Sequence, residues 1–118
     1  MATSKILYNN PFYGRRTLSS NDDLNNFRNI EYNGMYYISA STNAPANTPT
    51  LNTNGAVATY GLLFVFTGLN NSTTCQIYVN RPGSYVSSYI RYYSGSPATW
   101  SDWIYVLNSS NFNYIFPI

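Results

Sequence analysis

The sequence predicts a mainly β fold, a small antiparallel β-sheet or sandwich with one short N-terminal helix. Runs of β-branched and aromatic residues recur between clusters of Gly, Pro, Asn and Ser, which is typical of strands separated by turns. The longest such stretch, residues 87–107, has one run on each side of Ser94–Pro97 and indicates a β-hairpin. A chain of 118 residues is expected to form one domain of this kind.

The first 19 residues are interpreted as an N-terminal arm. An arm this apolar is expected to pack against a surface. Two interpretations stay open: the arm adds a strand to the edge of its own domain, or it docks onto a larger assembly. The side chains that would make these contacts are Ile6, Leu7, Tyr8, Phe12 and Tyr13.

The domain proper is predicted to span residues 20–107 and to begin with a short helix over residues 20–30. Asp22 and Asp23 fall in the first turn of this helix, where the helix dipole favours acidic side chains. Leu24 and Phe27 follow at a spacing of i and i+3, which gives the helix one apolar ridge.

Three strands are predicted between the helix and the hairpin. Residues 35–40 follow an Asn-Gly turn, and residues 61–68 form a run so apolar that both faces of the strand are expected to be buried. Residues 41–60, between these strands, form a long loop of the kind that is usually functional or mobile. The apolar tail, residues 108–118, is expected to pack rather than extend into water.

The third of these strands, residues 74–80, shows clean alternation of residue types. Because successive side chains of a strand point to opposite faces, the alternation divides this strand into two sets. The set expected in the core is Cys75, Ile77 and Val79, and the set expected in solvent is Gln76 and Tyr78.

Charge and composition exclude several classes of function. Charged residues make up 8% of the chain against a typical 25% or so, and the six basic residues form no stripe, so nucleic acid is not an expected partner. One Cys and no His exclude an intrachain disulfide, a zinc site of Cys and His within one chain, and His-activated nucleophiles. No metal or cofactor site is predicted.

The sequence also bears on where the protein acts. No apolar run reaches the roughly 20 residues that span a bilayer, so membrane insertion is not expected. The N-terminal Met-Ala-Thr-Ser-Lys lacks the features of a secretion signal, so synthesis in a cytoplasm is expected.

An ordered set of short motifs runs through residues 22–107, and in this order it resembles the pyocin knob-like domain of bacteriophage tail fibres and R-type pyocin fibres. The resemblance implies a small β-rich knob at or near the end of a trimeric virion fibre, often near the receptor-binding tip. The motifs are a D-L-x-x-F turn, G-x-Y-Y-I at Gly34–Ile38, N-A-P at Asn43–Pro45, G-L-L-x-V at Gly61–Val65, Q-I-Y at Gln76–Tyr78, Y-I-R at Tyr89–Arg91 and W-S-x-W at Trp100–Trp103.

Two functions stay open at this point. The first is a virion fibre or knob protein that binds a host-cell surface glycan, made in the host cytoplasm and located in the virion. The second is a structural virion subunit, such as a head fibre, a capsid decoration or a tail docking protein, with no ligand site of its own. Partners in either case are other virion proteins and copies of this chain. Apolar residues on more than one face of the predicted sheet indicate self-association, and the threefold symmetry follows from the resemblance alone.

Aromatic and arginine side chains around the hairpin are the candidate ligand-binding residues, because aromatic rings stack on sugars and arginine binds carbonyl and carboxylate groups. Arg91 is interpreted either as such an anchor, stacked between rings, or as a structural residue. Trp100 and Trp103 either contact a ligand or pack in the core or between subunits. The candidate set is Arg81, Tyr85, Arg91, Tyr92, Tyr93 and Trp100.

Catalysis is not expected. Glycoside hydrolysis commonly needs two carboxylates about 5–10 Å apart. The chain has four acidic residues, and the start of the predicted helix accounts for Asp22 and Asp23. Asp102 lies in W-S-D-W, where a bond to a neighbouring backbone amide is the ordinary role. A trimer could bring Asp102 and Glu31 of neighbouring chains together, but nothing in the sequence requires it.

Overall fold

A computed structural model describes residues 14–39, 44–50, 60–80 and 87–107 of the chain. Within these residues the chain forms one mixed sheet of seven strands, so the predicted mainly β class is confirmed. The strands are β1 (Gly14–Leu18), β2 (Gly34–Ser39), β3 (Tyr60–Thr67), β4 (Thr74–Asn80), β5 (Ser87–Gly95), β6 (Ala98–Trp100) and β7 (Ile104–Val106).

The centre of the sheet is antiparallel, and one edge is not. Strands β2, β3, β4 and β5 lie side by side in chain order, and β5 pairs with both β6 and β7 along different parts of its length. Strand β1 pairs with β2 in parallel, which corrects the prediction of an antiparallel sheet at this edge. Parallel neighbours need a long crossover, and residues 19–33 provide it.

The predicted N-terminal helix is replaced by two 3-10 turns, Leu24–Asn26 and Ile30–Tyr32. The reason lies in the sheet beneath them. Nε2 of Gln76 donates hydrogen bonds to the carbonyl oxygens of Leu24 and Phe27, at 2.8 and 3.1 Å. Carbonyls held by a side chain of the sheet do not need the partners that a continuing α-helix would supply, so the segment stays as separate turns.

The inner face of the sheet is the one that the crossover covers, and it holds the hydrophobic core. Leu24 and Phe27 of the crossover are buried against it, and the Phe27 ring meets that of Tyr36 edge-on at 4.9 Å. The buried core consists of Leu18, Leu24, Phe27, Tyr36, Ile38, Leu63, Val65, Tyr78 and Tyr89.

Strand β4 faces the opposite way from the prediction. Gln76 and Tyr78 are 0% exposed on the inner face. Burial of the Gln76 amide is favourable because backbone carbonyls of the crossover accept its hydrogens. The side chains expected in the core, those of Cys75, Ile77 and Val79, are half-buried on the other side.

The opposite side of the sheet, called the outer face, is apolar but incompletely covered. Strand β3 was expected to be buried on both faces, and only its inner face is fully buried. The antiparallel pairing registers place fifteen side chains together here, thirteen of them aliphatic, aromatic or sulfur-containing and none charged. They are Met35, Tyr37, Ser39, Tyr60, Leu62, Phe64, Phe66, Cys75, Ile77, Val79, Ser88, Ile90, Tyr92, Ile104 and Val106.

The predicted hairpin is present, and alternate side chains of its first strand lie on opposite faces of the sheet. Tyr89 and Arg91 point to the inner face, and Ile90 and Tyr92 point to the outer face. Strands β5 and β6 are joined through Ser96–Pro97, whose peptide bond is cis. The second run of the hairpin is divided into β6 and β7 rather than continuous. Among the described residues, no helix has the length and apolar character needed to cross a membrane.

Candidate functional site

The side chain of Arg91 lies at the centre of the candidate site, on the inner face of β5. It is only 4% exposed. Its Nε donates to Oε1 of Gln76, the residue directly opposite on β4, at 2.9 Å. Its Nη1 donates to Oδ1 of Asn25 in the first 3-10 turn, also at 2.9 Å. Arg91 therefore ties the sheet to the crossover that covers it.

Two tryptophans contact the same guanidinium. Its central carbon lies 4.0 Å from the ring centroid of Trp100 and 4.5 Å from that of Trp103. Stacking of this kind is favourable for a desolvated arginine because the ring faces are electron-rich.

A bulge explains why both rings reach one guanidinium. In a regular strand, residues three apart point to opposite faces. Here the pairing with β5 shifts by one residue between Trp100, opposite Tyr93, and Ile104, opposite Ile90. At the shift, Ser101 forms both hydrogen bonds to the backbone of Tyr92. The backbone N of Ser101 donates to the Tyr92 carbonyl at 2.8 Å, and the Ser101 hydroxyl takes the place of a backbone carbonyl by accepting from the Tyr92 N–H at 3.0 Å. The bulge turns both indoles to the inner side.

The indole N–H groups fasten these rings to the surrounding loops. Nε1 of Trp100 donates to the carbonyl oxygen of Asn25 at 3.2 Å. Nε1 of Trp103 donates to the carbonyl oxygen of Asn47 at 2.8 Å. Both rings are thus oriented by bonds as well as by stacking, which makes the site rigid.

The segment 44–50, part of the predicted long loop, forms one wall of the site. Backbone hydrogen bonds of 3.0 Å join Ala46 to Asp22 and Leu24 of the crossover. The Nδ2 of Asn47 donates to Oδ1 of Asp23 at 2.7 Å. Asn47 has a φ of 65°, a left-handed conformation that asparagine tolerates better than most residues.

These groups enclose a cavity of about 490 Å³, called here the Arg91 cleft. Its lining combines amides, hydroxyls and one guanidinium with aromatic surface. The lining residues are Asn25, Asn47, Thr48, Pro49, Thr50, Tyr89, Arg91, Trp100, Ser101, Asp102 and Trp103.

The electrostatics of the cleft are set by one buried cation. Burial lowers the pKa of the Arg91 guanidinium to about 10, and the charge of Asp23 acts in the opposite direction. The group remains positively charged at neutral pH. Asp102, exposed at the rim, is the one acidic residue that lines the cleft. The ion pair found among the described residues, Arg16 with Asp22, does not involve the cleft.

The structure brings some of the predicted site residues together and separates others. Arg91 and Trp100 line the cleft. The Tyr93 ring packs on Trp100 at 5.3 Å and carries Arg28 over its face at 4.7 Å, so it supports the cleft from behind. Tyr92 is 49% exposed on the outer face, away from the cleft. The remaining predicted residues lie outside the described ranges: Arg81, Tyr85, Ile6, Leu7, Tyr8, Phe12 and Tyr13.

Several cleft residues were not singled out by sequence reasoning. Asn25 and Asn47 act through amides and carbonyls that have no distinctive pattern in an Asn-rich chain, and Gln76 was expected in solvent. One feature of the sequence could have indicated this site, namely the set of motifs that carries the family resemblance. The motifs Gln76–Tyr78, Tyr89–Arg91 and Trp100–Trp103, far apart in sequence, meet around one guanidinium.

The acidic residues do not form a metal or carboxylate cluster in the described part of the chain. No group of three or more Cys, Asp or Glu side chains there has the arrangement of a metal site. The Asp22 and Asp23 side chains accept hydrogen bonds, from Arg16 and Ser19 and from Asn25 and Asn47 respectively. Among the described residues, the Asp102 side chain makes no bond to a backbone amide of the kind expected, and the Asp102 carbonyl oxygen accepts from the Ser101 hydroxyl.

Comparisons of the chain with protein-family models, with curated proteins and with solved structures each find no match. The resemblance to the pyocin knob-like domain rests on the sequence motifs and stays a prediction.

Proposed function

We propose that the chain is a bacteriophage virion fibre or knob protein that binds a host-cell surface glycan in the Arg91 cleft. The observation that supports this best is the lining of the cleft, where two half-buried indoles stand among amide and hydroxyl groups. A sugar ring offers apolar C–H faces to aromatic rings and hydroxyls to amides, so this mixture suits it.

The size and rigidity of the cleft favour the same conclusion. Its volume of about 490 Å³ falls within the range of about 300–1,000 Å³ typical of small-molecule sites. The walls are held by hydrogen bonds from Arg91, Trp100 and Trp103 before any ligand arrives. A preformed site loses little conformational entropy on binding. The assignment to a virion rests on the sequence motifs.

An array of bacterial surface polysaccharides tests this function, using the full chain and two matched variants. Thr50 and Thr99 are both exposed, and only Thr50 lines the cleft. Thr50→Tyr places a ring in the cleft and is expected to lower binding at least tenfold, while Thr99→Tyr on β6 is expected to leave binding unchanged. Equal loss in both variants, or no polysaccharide bound by the wild type, would contradict the proposal.

A structural virion subunit is the second candidate, and the outer face favours it. Monomeric proteins rarely expose a large continuous apolar patch. Here Tyr37, Ile90, Tyr92 and Ile104 are each 37–55% exposed within a patch that has no charged side chain. We propose that a second copy of this chain covers the outer face, because an uncharged patch meets its own copy without like-charge repulsion. A homotrimer is the assembly that the motif resemblance implies.

Light scattering on the full chain tests the assembly. The proposal predicts a defined oligomer, with a trimer as the expected mass. A monomer whose Cys75 thiol resists labelling until the protein is denatured would contradict it, because the outer face would then be covered from within one chain.

A further inference from the structure

The donors of Arg91 are not all used. A guanidinium carries five N–H donors. Among the described residues, Nε donates to Gln76 and Nη1 donates once, to Asn25. Nη2 is buried and has no hydrogen-bond partner. The end of the guanidinium formed by Nη1 and Nη2 therefore has unused N–H groups on both nitrogens, although buried donors in proteins are almost always paired.

The charge of Arg91 is compensated only in part, because the Asp23 carboxylate favours the cation without forming an ion pair with it. No ion pair of Arg91 is formed within the described ranges, where the Asp22 carboxylate pairs with Arg16. The Oδ1 atom of Asp23 accepts hydrogen bonds from the backbone N–H of Asn25 and the side-chain amide of Asn47 rather than from Arg91. The two indole faces stabilise the cation in part. A buried cation without an anionic partner is costly, so an anion that enters the cleft gains more here than at the surface.

The geometry of the free donors selects the kind of anion. Two neighbouring N–H groups at the end of a guanidinium match the two oxygens of a carboxylate. The remaining lining is uncharged apart from Asp102, which lies at the exposed rim. A ligand with one carboxylate on an otherwise neutral, hydroxyl-rich body fits this distribution.

We propose that the cleft is specific for an acidic sugar whose carboxylate accepts hydrogen bonds from Nη1 and Nη2 of Arg91. This inference rests on the proposed glycan-binding function and adds the class of sugar. The Asp102 carboxylate at the rim then weakens the binding of acidic ligands, because its negative charge repels theirs.

The experiment compares three monosaccharide probes on the full chain: methyl glucuronide, methyl glucoside and glucose 6-phosphate. Binding is followed by tryptophan fluorescence, because both tryptophans of the chain line the cleft. The uronide is expected to bind about tenfold more tightly than the glucoside, the effect of one charge-assisted hydrogen bond over a neutral one. A preference for the sugar phosphate would overturn the carboxylate assignment.

A variant outside the packed network sharpens the test. Asp102 is exposed, and its side chain has no hydrogen bond among the described residues. Asp102→Asn is expected to raise the ratio of uronide affinity to glucoside affinity about twofold to fivefold. Equal affinity for uronide and glucoside would overturn this inference alone. Binding of none of the three probes, together with a blank polysaccharide array, would overturn the proposed function as well.

Discussion

Nε of Arg91 donates a 2.9 Å hydrogen bond to Oε1 of Gln76, directly across the β4–β5 pair. The amide nitrogen of the same Gln76 donates to two carbonyls of the crossover. One glutamine thus connects the covering turns, the sheet and the cation of the cleft. Because each of its polar groups is satisfied, the buried amide orients Arg91 without a cost for unpaired donors.

Gln76→Met tests this connection. Methionine has a similar volume but cannot accept from Arg91 or donate to the carbonyls of Leu24 and Phe27. Leaving these buried groups unpaired is expected to lower the free energy of unfolding by about 2–4 kcal/mol. Urea denaturation measures the change. The control is Asn26→Met at an exposed position, expected to change stability by less than about 0.5 kcal/mol. A similar small effect at position 76 would contradict the role given to Gln76.

Gly61 is required by the close approach of β3 and β4. A Cβ added at Gly61 would overlap the backbone carbonyl oxygen of Val79 and lie 3.1 Å from the Tyr78 ring. Backbone cannot move aside cheaply, so Gly61→Ala is expected to cost about 1–3 kcal/mol in thermal or urea unfolding. Gly14→Ala is the matched control, because nothing lies within 4 Å of the added atom. Equal stability of the two variants would show that β3 and β4 can separate to admit a methyl group.

The buried phenol of Tyr78 is expected to make the folded protein less stable in alkali. Burial raises the pKa of its phenol, and Tyr89 adds to the effect. Below about pH 10 the phenol is protonated in both states, so its contribution to stability is fully present. Above about pH 10 the unfolded state releases the proton and the folded state retains it, so the free energy of unfolding falls as the pH rises.

Tyr78→Phe removes this pH dependence. Between about pH 9 and 11, the stability of the wild type relative to the variant is expected to fall by about 1.4 kcal/mol. Urea denaturation across this range measures the difference. Tyr37→Phe controls for the loss of a phenol at an exposed position on the outer face. The same pH response in both variants would contradict burial as the cause.

With the outer face as the interface between copies of the chain, a single lysine on this face is expected to disrupt the oligomer. Ile90→Lys places a charge in the middle of this apolar surface, where it would be desolvated on assembly. The variant is expected to shift the light-scattering mass towards the monomer and to increase the rate of thiol labelling at Cys75. Leu69→Lys, in a turn and 89% exposed, should leave both unchanged. An unaltered mass for Ile90→Lys would show that the outer face is not the interface.

The strands of the sheet were predictable because their signals are local. Runs of β-branched, aromatic and other apolar residues between turn residues located β2, β3, β4 and β5 from nearby sequence alone. Which face of each strand is covered was not predictable in this way. The cover on the inner face comes from residues 19–33, and alternation in β4 separates two sets of side chains without saying which one meets that cover.

Single residues of the cleft were predictable from the sequence, but the way the fold brings them together was not. Arg91 and Trp100 were identified as candidates because arginine binds carbonyl and carboxylate groups and aromatic rings stack on sugars. That Trp103 shares a face with Trp100 depends on a one-residue shift bridged by Ser101, which alternation does not reveal. The parallel edge strand likewise depends on a long crossover rather than on a local pattern.

The most direct test of glycan binding in the Arg91 cleft is a nitrogen–proton NMR titration of the full chain. The chain has two tryptophans, and both line the cleft, so its spectrum has two indole N–H signals that report on this site. When a polysaccharide fragment bound on the array is added, both indole signals are expected to shift and saturate together. Binding that shifts other signals and leaves both indoles unmoved would contradict the assignment of the ligand to this cleft.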